Sequence, residues 1–246
     1  METVPYGFKR ITPSEKKRLV NEHFSAIAQR YDLSDTLLSF GLHHLWKRTA
    51  VKLTGLKEDD RVLDLCGGTA DLAIGALSRV APSGKIVVCD MNKEMIKVGK
   101  NKVKSNSGKE SILFVQGDAE EICFPDETFD GVMAGFGLRN LVHMEKGIQE
   151  SHRVLKKGGI FMVLEFSLPD NMLFRYLYHL YSSYVMPFAG RLITGTDRPF
   201  TYLFESIRVF PSPEEFCLLL ANNGFTDLSY KRLTNGIAII YICKKK

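Results

Sequence analysis

The sequence predicts an α/β fold: a mostly parallel sheet with an antiparallel C-terminal edge, preceded by N-terminal helices and carrying a helical lid insertion. Three observations lead there. Between residues 61 and 166 short apolar runs alternate with amphipathic stretches, which implies parallel strands with helices on both faces. Runs such as Ile86-Val87-Val88 are continuously apolar, as strands buried on both sides must be. The last two apolar runs are joined by the tight turn Thr234-Asn235-Gly236, so they pair antiparallel.

The elements follow in order. Thr12-Pro13-Ser14-Glu15 reads as a helix start, with Thr12 as cap, Pro13 in the first turn and Glu15 closing a capping box. That helix runs through Leu19, His23, Phe24, Ile27 and Ala28. A second helical stretch follows Asp35 and carries Leu37, Leu38, Leu45 and Trp46. No strand is predicted before residue 60, so residues 1–55 form a helical N-terminal segment. Strands are predicted at 61–66, 85–90, 111–116, 129–136 and 159–166, and helices at 71–80, 92–103 and 144–155. Residues 56–168 make up this core, and residues 169–210 form a long aromatic-rich helical stretch. In the final part, 211–246, a helix capped at Ser212-Pro213-Glu214-Glu215 precedes strands at 226–232 and 236–244. With no internal repeat and no linker, the whole chain, 1–246, reads as one domain.

Composition narrows the function classes. The 246 residues are 45% hydrophobic and 25% charged, which is ordinary globular usage. A net charge of +5, three units of it from Lys244, Lys245 and Lys246, is too modest for a nucleic-acid partner. The five cysteines, Cys66, Cys89, Cys123, Cys217 and Cys243, form no close pair, and the histidines lack metal-ligand spacing, so neither a disulfide framework nor a metal is expected. No run reaches the roughly 18 apolar residues of a membrane helix. Glu2 and Glu15 interrupt any signal- or transit-peptide pattern, so a bacterial cytoplasm is the expected location.

The chemistry concentrates in Val62-Leu63-Asp64-Leu65-Cys66-Gly67-Gly68-Thr69-Ala70-Asp71. Gly67-Gly68-Thr69 follows the first core strand and opens a helix, where open α/β sheets bind ligands. Asp64 and Asp71 flank the loop and would oppose a pyrophosphate, but they suit a ligand bearing an ammonium and a sulfonium. No lysine-serine or lysine-threonine ending marks an NTP loop. Asp90 ends the second core strand, at the distance usual for a carboxylate that binds both ribose hydroxyls. Asp118 and Ala119 follow the third, where the Asp118 carboxylate can accept from an adenine amino group, and Met91 can pack on the adenine face. The ligand that fits is S-adenosylmethionine, in a Rossmann-like class I methyltransferase sheet, with Gly135 at the end of the fourth strand completing the cofactor set.

Beyond the loop the chain resembles the C-methyltransferases of menaquinone and ubiquinone biosynthesis over nearly its whole length. Tyr31-Asp32, Leu38-Ser39, His43 and Trp46 are similar to the family's N-terminal signature, and Phe136-Gly137-Leu138-Arg139-Asn140 to its mid-chain motif. Arg153-Val154-Leu155-Lys156, Gly158-Gly159 and Glu165-Phe166-Ser167 match a further signature. Tyr202-Leu203, Ser206-Ile207 and Phe210-Pro211-Ser212 resemble the C-terminal block. The chain departs from the family at Ser34-Asp35 (usually Met-Asn), Ala70 (glycine), Gly135 (serine), Lys157 (proline) and Tyr241 (histidine). These departures leave every cofactor carboxylate in place and put the headgroup preference in question.

The resemblance implies methylation of a ring carbon on a prenylated quinol, and the expected bacterial cytoplasm favours demethylmenaquinol over a benzoquinol. Phenol deprotonation would push charge onto that carbon, and the residues after the fourth strand should face it. Arg139 is assigned to stabilising the quinolate oxygen, since a guanidinium stays protonated. Asn140 would donate to the same or the second oxygen, and Tyr31 would bond the quinol or close over the cofactor. His43, His152 and Glu165 read as structural. The stretch from Leu173 to Phe188 reads either as a buried helix or as a lid lining a channel for the prenyl tail. A lipid substrate implies transient membrane contact without an anchor, and a homodimer is left open. Two rivals stand beside this reading: a methyltransferase of another small hydrophobic acceptor, and a cofactor-binding scaffold subunit without turnover.

Overall fold

The computed structural model describes residues 2–106 and 108–246. A seven-stranded sheet forms the centre, in the order β5-β4-β3-β6-β7-β9-β8. The parallel strands are β3 (Arg61–Leu65), β4 (Lys85–Asp90), β5 (Ile112–Gln116), β6 (Phe129–Gly135) and β7 (Leu155–Phe166). β8 (Phe225–Leu233) and β9 (Ala238–Lys245) form the antiparallel edge, with β9 paired to β7. Chain order reverses between β3 and β6, so their carboxyl ends frame the ligand crevice of an open sheet.

Alternation along the strands sorts the core into two layers. Val62 packs with Trp46, Ala73 and Leu77 on the face covered by α3 (Leu42–Leu53) and α4 (Asp71–Val80). Leu63 and Leu65 pack with Ile148 and Phe216 on the other face, covered by α6 (Met144–Val154) and α10 (Pro213–Asn222). α5 (Lys93–Val103) starts at Asn92, whose side chain accepts from the Met95 amide. α10 carries a complete capping box between Ser212 and Glu215. α1 (Pro13–Ile27) has Thr12 as its cap, accepting from the Glu15 amide at 3.3 Å.

Two sequence expectations change, and one of two alternatives for the aromatic stretch is excluded. The N-terminal segment is not wholly helical: Val4–Tyr6 (β1) and Lys9–Ile11 (β2) form a hairpin, too short to leave an alternating pattern. The stretch after Asp35 is two helices, α2 (Tyr31–Leu38) and α3, because Phe40 and Gly41 turn with positive φ between them. The aromatic stretch is not a buried helix. α7 (Met172–Leu180) has no buried residue, and it continues through a π-helical turn, Tyr181–Val185, into α8 (Met186–Thr194). α9 (Arg198–Val209) then leads to α10. Among the described residues, no helix is long and apolar enough to cross a membrane.

Candidate active site

The turn after β3 is shaped by close approach. The Gly67 amide donates to the Cys89 carbonyl at 3.1 Å. A Cβ on Gly67 would lie 2.7 Å from Val88 Cγ1 and 2.9 Å from the Asp64 carbonyl oxygen, so only glycine lets the chain turn this near β4. Asp64 lies under the turn, 1% exposed, with Oδ2 accepting from the Ala73 amide at 3.0 Å. Its Oδ1 has no partner among the described residues. Burial, with the charges of Asp71 and Asp90 nearby, pushes this carboxyl up to about 7, against the pull of the Ala73 bond.

The other carboxylates stand at successive strand ends, as the sequence suggested. Asp90 Oδ2 accepts from the Gly68 amide at 2.9 Å and Oδ1 from the Asn92 amide at 2.7 Å. Burial raises its pKa despite those bonds. Asp118 Oδ1 accepts from the Glu120 amide at 2.9 Å, and Oδ2 holds Lys17 Nζ at 2.6 Å. Burial works against the charge on Asp118, but the Lys17 bond outweighs it and holds the carboxyl below its ordinary range. A cavity of about 340 Å³ brings all the predicted cofactor residues together: Asp64, Gly67, Gly68, Thr69, Asp71, Asp90, Met91, Asp118, Ala119 and Gly135.

Asp71 differs from its expected role. It is no uncommitted carboxylate beside the loop, because Lys47 holds Oδ2 at 2.6 Å and Lys102 binds Oδ1. Burial opposes its charge, and the two lysines overcome this to hold it far below the ordinary carboxylate range. The chain of ions continues outward. Lys47 also reaches Asp35 at 3.2 Å, Lys102 reaches Asp32 at 2.6 Å, and Asp32 accepts from the Thr69 hydroxyl at 2.7 Å. Alternating charges thus tie α2 and α3 to the glycine turn and α5. Asp64 and Asp90, the carboxylates against the glycine turn, have no basic partner among the described residues.

Of the three predicted catalytic residues, two reach the cavity wall. Tyr31 lines it beside Phe24, and burial together with Asp35 raises its phenol pKa. Asn140 lines it as well, donating through Nδ2 to the Phe136 carbonyl at 3.3 Å, while its buried Oδ1 has no partner among the described residues. Arg139 was expected to face the reacting centre, but it sits behind the wall. Its Nη1 binds Glu165 Oε2 at 3.0 Å and also donates to the Phe136 carbonyl. The guanidinium lies 5.3 Å from the Phe166 ring centre, and its Nε is buried with no acceptor among the described residues.

Phe136 is the pivot. It lines the first cavity and also a second one of about 320 Å³, and no other described residue lines both. That second space is almost wholly apolar, walled by Leu38, Trp46, Phe166, Leu177 and Tyr181 among others. Phe136 holds φ +57, an uncommon conformation for a bulky residue, between two glycines whose own Cβ atoms would strike Leu72 and Cys66. Its ring stacks on Phe166 at 4.2 Å.

The sequence profile of the ubiE/COQ5 methyltransferase family matches residues 11–245. The chain belongs to this family. It is 41% identical over 239 residues to the ubiquinone/menaquinone biosynthesis C-methyltransferase UbiE of Pseudomonas entomophila, covering 97% of this chain and 93% of that one. The UbiE of Pseudomonas fluorescens is 42% identical over the same shares. A SAM-dependent methyltransferase from Thermotoga maritima has the same fold at 18% identity, with a TM-score of 0.65 over 92% of this chain and 100% of the other. One from Aquifex aeolicus aligns at 17% identity with a TM-score of 0.57, over 95% and 98%. The protein is therefore a SAM-dependent methyltransferase on a Rossmann-like sheet, as expected from Gly67, Asp90 and Asp118.

Several site residues carry no local sequence signal. Lys47 and Lys102 neutralise Asp71, yet they stand 24 and 31 positions from it, and no local pattern links them. Glu165, read as structural, holds Arg139 from 26 positions away. Phe136 belongs to the mid-chain motif, which by itself points to no role for its side chain. Its flanking glycines, Gly135 and Gly137, were the available clue to an unusual backbone.

Proposed function

We propose that the chain transfers a methyl group from S-adenosylmethionine to a ring carbon of a prenylated quinol, converting demethylmenaquinol to menaquinol. One observation carries this reading: a cavity rich in carboxylates and backbone amides meets an apolar cavity at a single shared side chain, Phe136. A polar donor and an acceptor with a long hydrocarbon tail need such a pair of spaces. The named activity of the UbiE relatives supports it.

The residues around the first cavity fit the donor. The unpartnered Oδ1 of Asp64 and the carboxylate of Asp90 suit an ammonium and a ribose, and the glycine turn leaves room for close approach. When bound, the donor would supply an electrophilic sulfonium methyl; its transfer to the ring carbon would leave S-adenosylhomocysteine and release one proton as the ring regains aromaticity. Tyr31 and Asn140 take the polar contacts to the quinol oxygens from the cavity wall. Arg139, whose charge Glu165 already pairs behind Phe136, offers its unpartnered Nε–H as the donor that favours the quinolate oxygen. The prenyl tail runs into the apolar cavity under α7. The expected site of action is the bacterial cytoplasm, peripheral to the membrane.

Labelled-methyl transfer to demethylmenaquinol and to demethoxyubiquinol-type acceptors tests the reaction. Label should enter the naphthoquinol, and no labelled product from any quinol would sink the reading. Affinity should fall progressively as the prenyl chain is shortened. Indifference to chain length would remove the tail from the apolar cavity. Near-normal turnover in Arg139→Ala would remove Arg139 from the chemistry.

A further inference from the structure

The helical stretch from α7 to α8 presents an apolar surface that no described residue covers. Tyr176, Leu180, Tyr184, Phe188 and Leu192 recur every four residues, which lines them along one side of the stretch. Tyr184 is 71% exposed, Phe188 66% and Leu192 70%. Phe40, 79% exposed at the end of α2, packs near Tyr181 and extends the patch. Single exposed apolar residues are ordinary, but a continuous stripe of this kind marks an interaction surface.

Charge selects the partner. Asp170 and Asp197 bracket the segment, and no carboxylate lies between them, although the chain has 28 acidic residues in 246. Arg175 and Arg191, both exposed, supply the formal charges. A second copy packed face to face would bring these arginines together with no carboxylate from the same surface to pair them. An anionic lipid headgroup layer pairs with them directly, while the stripe enters the acyl boundary and the tyrosines sit at the interface. The same surface overlies the apolar cavity: Leu177 is 52% exposed and also lines that space.

We propose that the α7–α8 face docks onto an anionic lipid bilayer, so that a lipid-borne acceptor passes from the acyl layer into the apolar cavity past Leu177. This deepens the quinol reading. Its measurement needs no turnover, so failure of one can be told from failure of the other.

The test is co-sedimentation of the full chain with vesicles of phosphatidylcholine, alone or mixed with phosphatidylglycerol. The chain should pellet with the mixed vesicles and release as salt is raised. Binding should fall at least about tenfold in Tyr184→Glu/Phe188→Glu, which places carboxylates in the stripe. Arg175→Gln and Arg191→Gln should each cost about fivefold on the mixed vesicles and little on phosphatidylcholine alone. Calorimetric binding of S-adenosylmethionine reports whether the variants are folded; if the glutamate variant loses it, the arginine variants decide. Three results overturn the proposal: wild-type chain left in the supernatant with mixed vesicles, folded variants that bind like wild type, or a wild-type dimer that the glutamate variant splits.

Discussion

Glu165 and Arg139 form a buried ion pair, Oε2 to Nη1 at 3.0 Å, between side chains that are 1% and 8% exposed. Glu165 Oε1 also accepts from the Arg139 backbone amide at 3.3 Å, so one carboxylate fixes both ends of the residue. Removing either partner strands the other charge away from water. Glu165→Ala should therefore lower stability by about 3–5 kcal/mol, and Glu165→Gln by less, because its amide oxygen keeps one of the two acceptor positions, although the charge is gone. The Glu165→Gln/Arg139→Met double variant should be more stable than the summed losses of the single changes predict. Urea denaturation of the four proteins measures this, and strictly additive losses would refute the coupling.

The ion chain around Asp71 makes a contrasting pair of predictions. Lys47 is buried between Asp35 and Asp71. Burial alone would lower its pKa, but the two carboxylates, Asp35 first, raise it instead. Lys47→Met leaves both acids facing each other and should cost about 3–5 kcal/mol. Asp35→Asn, which restores the residue usual in the family, keeps the 2.6 Å Lys47–Asp71 contact and should change stability by less than about 1 kcal/mol. Thermal melts that ranked the two variants the other way would show that Asp35, rather than Asp71, is the ion that Lys47 serves.

How much could be read from the chain divides by range. The boundaries of α4 were legible at both ends, because the glycine turn precedes Asp71 and Ala81-Pro82 follows Val80. The strand-end positions of Asp90 and Asp118 were legible for the same local reason. Pairings were not. Nothing near Asp71 announces Lys47, and nothing near Arg139 announces Glu165, since β6 and β7 bring that pair together across the sheet. The β1–β2 hairpin escaped because three residues carry too little periodicity. The exposure of α7 escaped because an apolar stripe looks the same in sequence whether protein or another phase covers it.

Asp64 sets a pH dependence. Its folded pKa of about 7 stands above the ordinary 3.8, so the folded chain binds a proton more tightly than the unfolded one. That share of stability is complete below the ordinary value and is lost as pH rises through about 7, a span worth on the order of 4 kcal/mol. Asp64→Asn should flatten this slope of stability between those limits. Cofactor affinity should run oppositely in the wild type, since the ionised carboxylate is the form that attracts a cation, and should weaken as pH falls below about 7. Denaturation and calorimetric titrations across that range check both signs. A wild-type affinity that does not vary with pH would exclude Asp64 from the ammonium contact.

Gly67 should be the most sensitive position of the turn. A methyl group there meets Val88 Cγ1 at 2.7 Å and the Asp64 carbonyl oxygen at 2.9 Å. The Asp64 oxygen is strand backbone and cannot swing aside, so Gly67→Ala must lift the turn away from β3 and β4. Overpacking of this kind costs about 1–3 kcal/mol. The displacement also weakens the 3.1 Å bond from the Gly67 amide to the Cys89 carbonyl, next to Asp90, which the Gly68 amide holds at 2.9 Å. S-adenosylmethionine affinity should therefore fall by more than the stability loss alone implies, about tenfold or more, with kcat at saturating donor changed less. Gly108→Ala, at a positive φ of 85° on the turn before β5 and away from the cavity, is the matched control: it should lose stability and keep its donor affinity. Equal affinity losses in the two variants would mean that Gly67 serves folding and not the cofactor.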